Sequence, residues 1–256
     1  METGFLGVPG VDALVFAGLS LTSLCTAFIA GVTGSAGGLL LLGILALVFP
    51  PAILIPVHTV VLIGDNITRA AIMWRHVAWG AAPPFLIGAA LGAAAGGRIF
   101  VALPTATLQL ILGICILVFT WMPKIAGRGS AGARFGLVGF IATFIGIFVS
   151  ATGALVAPFV AAAYADRRQV ISTFSVVMAL VHLSKLVAFG LLGVTLAPYV
   201  PLMAAMVGTA LLGNLAASRV LNRVPERRFR AVFRVVMTAL ALRILWMAAQ
   251  GATSAA

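Results

Sequence analysis

Apolar stretches, separated by short clusters of glycine, proline and basic residues, divide the chain into ten segments. They fall at about 11–31, 36–49, 52–74, 79–101, 105–122, 135–150, 153–165, 169–191, 195–219 and 227–248. Runs of this length and hydropathy predict helices that meet a bilayer, five in each half of the chain. The basic stretch from Pro123 to Ser130 is the one connection that reads as a linker. This predicts a first repeat at 1–123, a cytoplasmic linker at 124–134 and a second repeat at 135–256.

Composition fixes the solvent. With 62% hydrophobic and 8% charged residues, a chain of 256 residues has too little polar surface for a water-soluble globule. The expectation is an all-α membrane protein, a polytopic helix bundle. The net charge of +11 has a topological reading. If all ten segments cross, Arg75, Lys124, Arg128, Arg134, Arg167, Arg168, Arg219, Arg223, Arg227, Arg228 and Arg230 share one side, which is then the cytoplasm. Arg98 is the outward exception, and nucleic acid is not needed as a partner to account for the charge. The opening residues lack a basic region before the first apolar stretch, so that stretch is expected to be a retained helix. Cys25 and Cys115 lie in apolar segments without metal-ligand spacing, and no metal or cofactor is expected.

Polar residues inside the apolar runs repeat. Thr59-x6-Asn66-x2-Arg69 in the first half matches Ser175-x6-His182-x2-Lys185 in the second, at an offset of 116 positions. Gly92 and Gly208, and Gly97 and Gly213, keep the same offset. Five crossings is an odd number, so a duplicated half must run inverted relative to its twin. A cation at the middle of a membrane helix is costly, about 2.5 kcal/mol or more, and marks a functional site by default. Arg69 and Lys185 therefore predict an anionic ligand.

The second segment of each half is too short to cross. The first, at 36–49, spans about 21 Å against a hydrocarbon core of about 30 Å. Upstream of each stands a turn-forming stretch, Gly31 to Gly38 in the first half and Ser150-Ala151-Thr152-Gly153 in the second. Broken backbone at membrane depth is tolerated where it lines a polar cavity, and a helix that starts there offers N–H groups to an anion. The candidate substrate ligands are Arg69, Lys185, Asn66, His182, Thr59 and Ser175, with the backbone and hydroxyl groups of Gly37, Gly38, Thr152 and Gly153.

Other polar residues carry plainer readings. Asp65 lies four residues before Arg69 and reads as its counter-ion; with His182 it is also a candidate for proton coupling. His58 reads as a helix-packing histidine. Gly92, Ala95, Gly96, Gly208 and Gly213 give small-residue spacings suited to close helix packing. The five acidic residues, Glu2, Asp12, Asp65, Asp166 and Glu226, are scattered, so no enzyme's paired carboxylates or metal cluster is predicted.

The glycine-rich break after the first helix, and the Asn66-x2-Arg69 helix running into Trp74-Arg75-His76-Val77-Ala78-Trp79-Gly80, resemble the TauE/SafE sulfite exporter family of bacterial anion permeases. The resemblance covers nearly the whole chain and extends to its two-repeat layout. It implies a multi-pass protein of the bacterial inner membrane that moves sulfite, a sulfonate or a related sulfur-containing or organic anion. The second turn departs from the pattern, with Ser150 and Thr152 where the first turn is richer in glycine. The expected mechanism is alternating access around a central anion site. An anion channel, or an assembly subunit that transports nothing, are the alternatives. The expected partners are a small anion and membrane lipid.

Overall fold

The computed structural model describes residues 4–33, 36–121, 131–150, 152–220 and 226–253. Ten α-helices and no strand occur among them. They are α1 (Ala13–Thr33), α2 (Ala36–Leu45), α3 (Pro51–Ile72), α4 (Ala82–Ala102), α5 (Thr105–Trp121), α6 (Ala131–Val149), α7 (Gly153–Ala163), α8 (Arg167–Leu191), α9 (Val200–Val220) and α10 (Glu226–Thr253). Residues 124–130 of the expected linker lie outside the described residues, and 131–134 open α6.

Local chemistry sets the helix ends. Asp12 accepts the Val15 N–H at 2.8 Å ahead of α1, and Asp166 caps α8 by accepting from Arg168 N at 3.0 Å. The expected segment 36–49 stops being α-helical at Leu45. Tight turn bonds from Leu47 N to Ile44 O and Val48 N to Leu45 O follow, before Pro50 and Pro51. Proline lacks the N–H that would continue a helix but suits a first helical position, so Pro51 starts α3 instead.

Five described helices are long and apolar enough to cross a membrane: Ala13–Thr33, Pro51–Ile72, Trp79–Ala102, Arg167–Leu191 and Ala197–Val220. Leu14, Ile87, Leu91, Val187 and Leu191 point outward, a surface that suits hydrocarbon and not water. The molecule is a polytopic helical membrane protein. By contrast, α2 has 10 residues and α7 has 11, about 15 to 17 Å of helix, too short to cross alone.

The halves interlock. α1 packs along α9, α4 along α6, α5 along α10, and α3 lies against α8, each pair joining a helix before residue 123 to one after it. Two of these seams have residue-level causes. On α4 and α6, a Cβ at Gly92 would strike the Phe140 carbonyl oxygen and one at Gly96 would stand 3.1 Å from that of Phe144, so glycine lets the backbones touch. Between α1 and α9, Ser23 Oγ donates to Met206 O at 2.7 Å and Thr209 Oγ1 to Ser20 O at 2.8 Å. A Cβ at Gly213 would strike the Leu24 carbonyl oxygen there, whereas one at Gly208 would meet nothing within 4 Å, so no close approach among the described residues requires glycine at 208.

Candidate functional site

Lys185 sits in the second turn from the end of α8 and is wholly buried, 0% exposed. Its surroundings come from three helices of both halves. Nζ donates to Ser150 Oγ at 2.9 Å and, over 3.4 Å, to Nδ1 of His182, one turn earlier on α8. Ser150 follows α6 in the left-handed region, φ 59°, unusual for a residue with a Cβ, and its N–H closes the helix on Gly146 O at 2.8 Å. That conformation turns its hydroxyl toward α3 and α8. Backbone of this kind recurs at functional sites.

His58 on α3 completes the arrangement. Its Nε2 lies 2.8 Å from the Gly38 carbonyl oxygen, which can only accept, so that nitrogen carries hydrogen. Nδ1 of the neutral ring then accepts the Ser150 hydroxyl hydrogen at 2.9 Å, leaving the oxygen's lone pairs to Lys185. A hydrogen-bonded line thus runs from the start of α2, through α3 and the turn after α6, to α8. Thr59 Oγ1 stands 3.3 Å from the same Ser150 oxygen while donating to Ile55 O at 2.8 Å. The helix-packing His58 thus joins its neighbours through polar bonds, with Gly38 and Ser150 held by its two ring nitrogens.

Around Lys185 the donors outnumber the acceptors. A lysine ammonium offers three hydrogens, of which Ser150 and His182 would take two. Nδ1 of His182 faces Lys185, so its hydrogen sits on Nε2, and that atom is buried without a partner. Thr152 Oγ1 is equally buried and unpartnered, as is Thr143 Oγ1 on α6. Thr152 precedes α7 without capping it through its side chain. A Cβ at Gly146 would stand 3.4 Å from Thr152 Oγ1 and 3.7 Å from Lys185 Cδ, so the hydroxyl and the lysine stem border one bare stretch of α6. A buried polar group without a partner costs about 1–3 kcal/mol, which an anion's oxygens would recover.

Arg69 occupies a different environment. Its guanidinium is 3% exposed and ion-paired with Asp65 one turn back on α3. Asn214 on α9 closes the group: Oδ1 accepts from Arg69 Nε at 3.3 Å, and Nδ2 donates to Asp65 Oδ1 at 2.8 Å and Asp65 O at 3.0 Å. The counter-ion reading of Asp65 fits this geometry. Arg69 and Lys185 do not share a hydrogen-bond network.

The remaining candidates divide. Asn66 Nδ2 donates to Leu62 O at 2.8 Å and Ser175 Oγ to Ile171 O at 2.9 Å, each serving its own helix. At Gly37 a Cβ would collide with the Thr26 carbonyl oxygen and the Ala30 methyl, so this glycine admits the start of α2 against α1. Gly153 is buried as the first residue of α7, beside Thr152. Gly34, Ser35 and Ala151, the centres of the two expected turns, lie outside the described residues. A cavity of about 10 Å³, room for one water, is lined by Ser23, Thr26, Gly37, Gly38 and Asp65 among others.

Three residues central to these networks escaped the sequence reading as ligands: His58, Asn214 and, as a hydrogen-bond hub, Ser150. Ser150 carried a signal, a hydroxyl at a turn where the first half is richer in glycine. Asn214 had one as well, since its offset of 116 pairs it with Arg98, the other polar residue in that stretch of helix.

Among known proteins, the family described as sulfite exporter TauE/SafE matches residues 19–244. No curated protein and no solved structure matches the chain.

Proposed function

The chain belongs to the TauE/SafE sulfite exporter family, a family of membrane transporters, and from that premise we propose that it carries a small sulfur-containing or organic anion across the bacterial inner membrane by alternating access. The anion binds beside Lys185, with His182 Nε2, Thr152 and Thr143 as hydrogen-bond donors. One observation carries this reading: a wholly buried lysine, bounded by unpartnered donors, with no carboxylate paired to it among the described residues. A cation there needs a counter-charge, and the ligand supplies it.

Burial favours a carrier over a channel. Lys185, His182, Ser150 and Thr152 are each 0% exposed, so an anion reaches them only when helices separate. The site lies where α3, α6, α7 and α8 meet, between halves that we take as inverted repeats. The recurring pairings, α1 with α9 and α4 with α6, are those an exchange of two like halves would produce. Rocking along these seams would break the line from Gly38 through His58 to Ser150 and open the lysine to one side. Arg69, already bound to Asp65 and Asn214, holds α3 to α9 in this scheme.

The test is flux of labelled sulfite and methanesulfonate into proteoliposomes of the purified protein. Saturable uptake, with counterflow faster than net uptake, is expected of the carrier. Rates that do not saturate, with no counterflow, would favour a channel, and no protein-dependent movement of either anion would remove the transport reading.

A further inference from the structure

The Lys185 site differs from the Arg69 site in one respect that bears on energy coupling: among the described residues it has no resident negative charge. The carboxylate side chains described are those of Asp12, Asp65 and Asp166. Asp12 and Asp166 are exposed at the starts of α1 and α8, and Asp65 is bound to Arg69 and Asn214. None pairs with Lys185. The titratable groups that face it are His58 from α3 and His182 from its own helix, both neutral acceptors or donors in the hydrogen bonds above. Toward Lys185, α6 and α7 present the hydroxyls of Ser150 and Thr152 and the bare Gly146, while Arg134, near the start of α6, is exposed about 18 Å along that helix from Gly146. On α4 the one ionisable residue, Arg98, is exposed. Arg75 and His76 lie in the segment packed near Thr173, about 18 Å along α8.

A carrier must also cross back empty. Moving a bare ammonium through an apolar interior on each return would cost several kcal/mol, because no described carboxylate neutralises it. A neutral amine returns without that cost. We propose that each anion binds together with one proton and that Lys185 is the group that holds it, so that transport is an electroneutral proton–anion symport. This rests on the anion site proposed above. When the site loads, the Nζ lone pair takes a proton from water and the resulting ammonium faces the anion. When the anion leaves, the proton leaves with it on the same side, and charge balances in both states.

The geometry assigns the surrounding groups to this cycle. His58, fixed by the Gly38 carbonyl, takes the Ser150 hydrogen and so presents an oxygen lone pair to Nζ, which suits an ammonium. His182 Nδ1 does the same from the other side, leaving Nε2–H for the anion. Neither histidine needs to change its charge. His58 and His182 are therefore positioning and binding groups, and the coupling proton resides on the amine.

The experiment uses full-length protein in liposomes loaded with a pH dye, with potassium and valinomycin setting the membrane potential. Methanesulfonate is the probe, because its fully ionised sulfonate brings no proton of its own. Expected is one proton entering per labelled anion, at a rate insensitive to potential. Entry of the anion without protein-dependent acidification, at a rate that follows potential, overturns the symport and leaves the carrier intact. No protein-dependent movement of methanesulfonate, or of sulfite beside it, overturns both. Lys185→Arg supplies the second arm, since arginine holds its charge throughout. Net uptake should fall at least tenfold further than anion exchange, because only net uptake needs an empty return. One proton per anion persisting in Lys185→Arg would show that another group carries it.

Discussion

Arg69 and Lys185 occupy matched positions in the two polar repeats and are both buried, yet they live in opposite electrostatic states. Arg69 has a carboxylate one turn away and an amide bridging both, so its charge is settled inside the protein. Lys185 has a hydroxyl and an imidazole nitrogen, and unpartnered donors beyond them. A buried cation with an internal partner is a fastening. One without such a partner is an open valence, and its chemistry is completed by something from outside.

The sharpest way to break this contrast is to neutralise each cation in turn and read transport and stability separately. Lys185→Gln should lose about 2–5 kcal/mol of anion binding, a drop in flux of at least about 30-fold, with a melting temperature in detergent equal to or above that of the parent. Removing a buried amine that no described carboxylate pairs relieves the fold. Arg69→Ala should do the reverse to the fold: it leaves Asp65 buried and uncompensated and should cost about 3–5 kcal/mol of stability. The double replacement Asp65→Leu with Arg69→Leu should recover most of that loss, since removing both charges together is often nearly neutral. If Arg69→Ala were as stable as the parent while transport vanished, the first cation would be a ligand after all, and the contrast would collapse.

Asn214 gives a smaller effect of the same sign. Asn214→Leu removes two bonds to Asp65 and one to Arg69, and thermal melting should report a loss of about 1–3 kcal/mol. Thr152→Val, by contrast, deletes a hydroxyl that has no partner in the protein. Stability should hold or rise, while the half-saturating concentration of the anion rises by about five- to tenfold, the equivalent of one hydrogen bond.

Much of the architecture was readable from the chain because it depends on local pattern. All ten apolar segments correspond to helices, and the boundaries moved where the segment's neighbours mattered: Pro50 and Pro51 ended the turn after α2, and α6 began at Ala131 instead of 135. Helical spacing also placed Thr59, Asn66 and Arg69 on a buried face of α3, and Ser175, His182 and Lys185 on that of α8. What periodicity does not encode is the partner across the interface. Asn214 is 145 residues from Arg69, and Ser150 is 92 from His58. The repeat implied like roles for aligned residues. Asn66 turns back to the Leu62 carbonyl, while His182, its counterpart, faces Lys185. Aligned positions here share burial and not role, because a new role needs only one changed neighbour.

The finest probe of that divergence is the pair of aligned hydroxyls. Thr59 and Ser175 each donate to the carbonyl four residues earlier, at 2.8 and 2.9 Å, so their local bonds are alike. Only Thr59 also stands beside the Ser150 oxygen that accepts from Lys185. If roles followed sequence alignment, removing either hydroxyl would have the same consequence. Because they follow the surroundings, Thr59→Val should shift the half-saturating anion concentration by about two- to threefold, through a Ser150 hydroxyl no longer confined on that side. Ser175→Ala should leave it unchanged within error and alter stability by under about 0.5 kcal/mol, since a hydroxyl bonded to its own helix adds little there. Equal shifts in the two variants would mean that both halves line the anion site, and the open valence would then have to be shared between them.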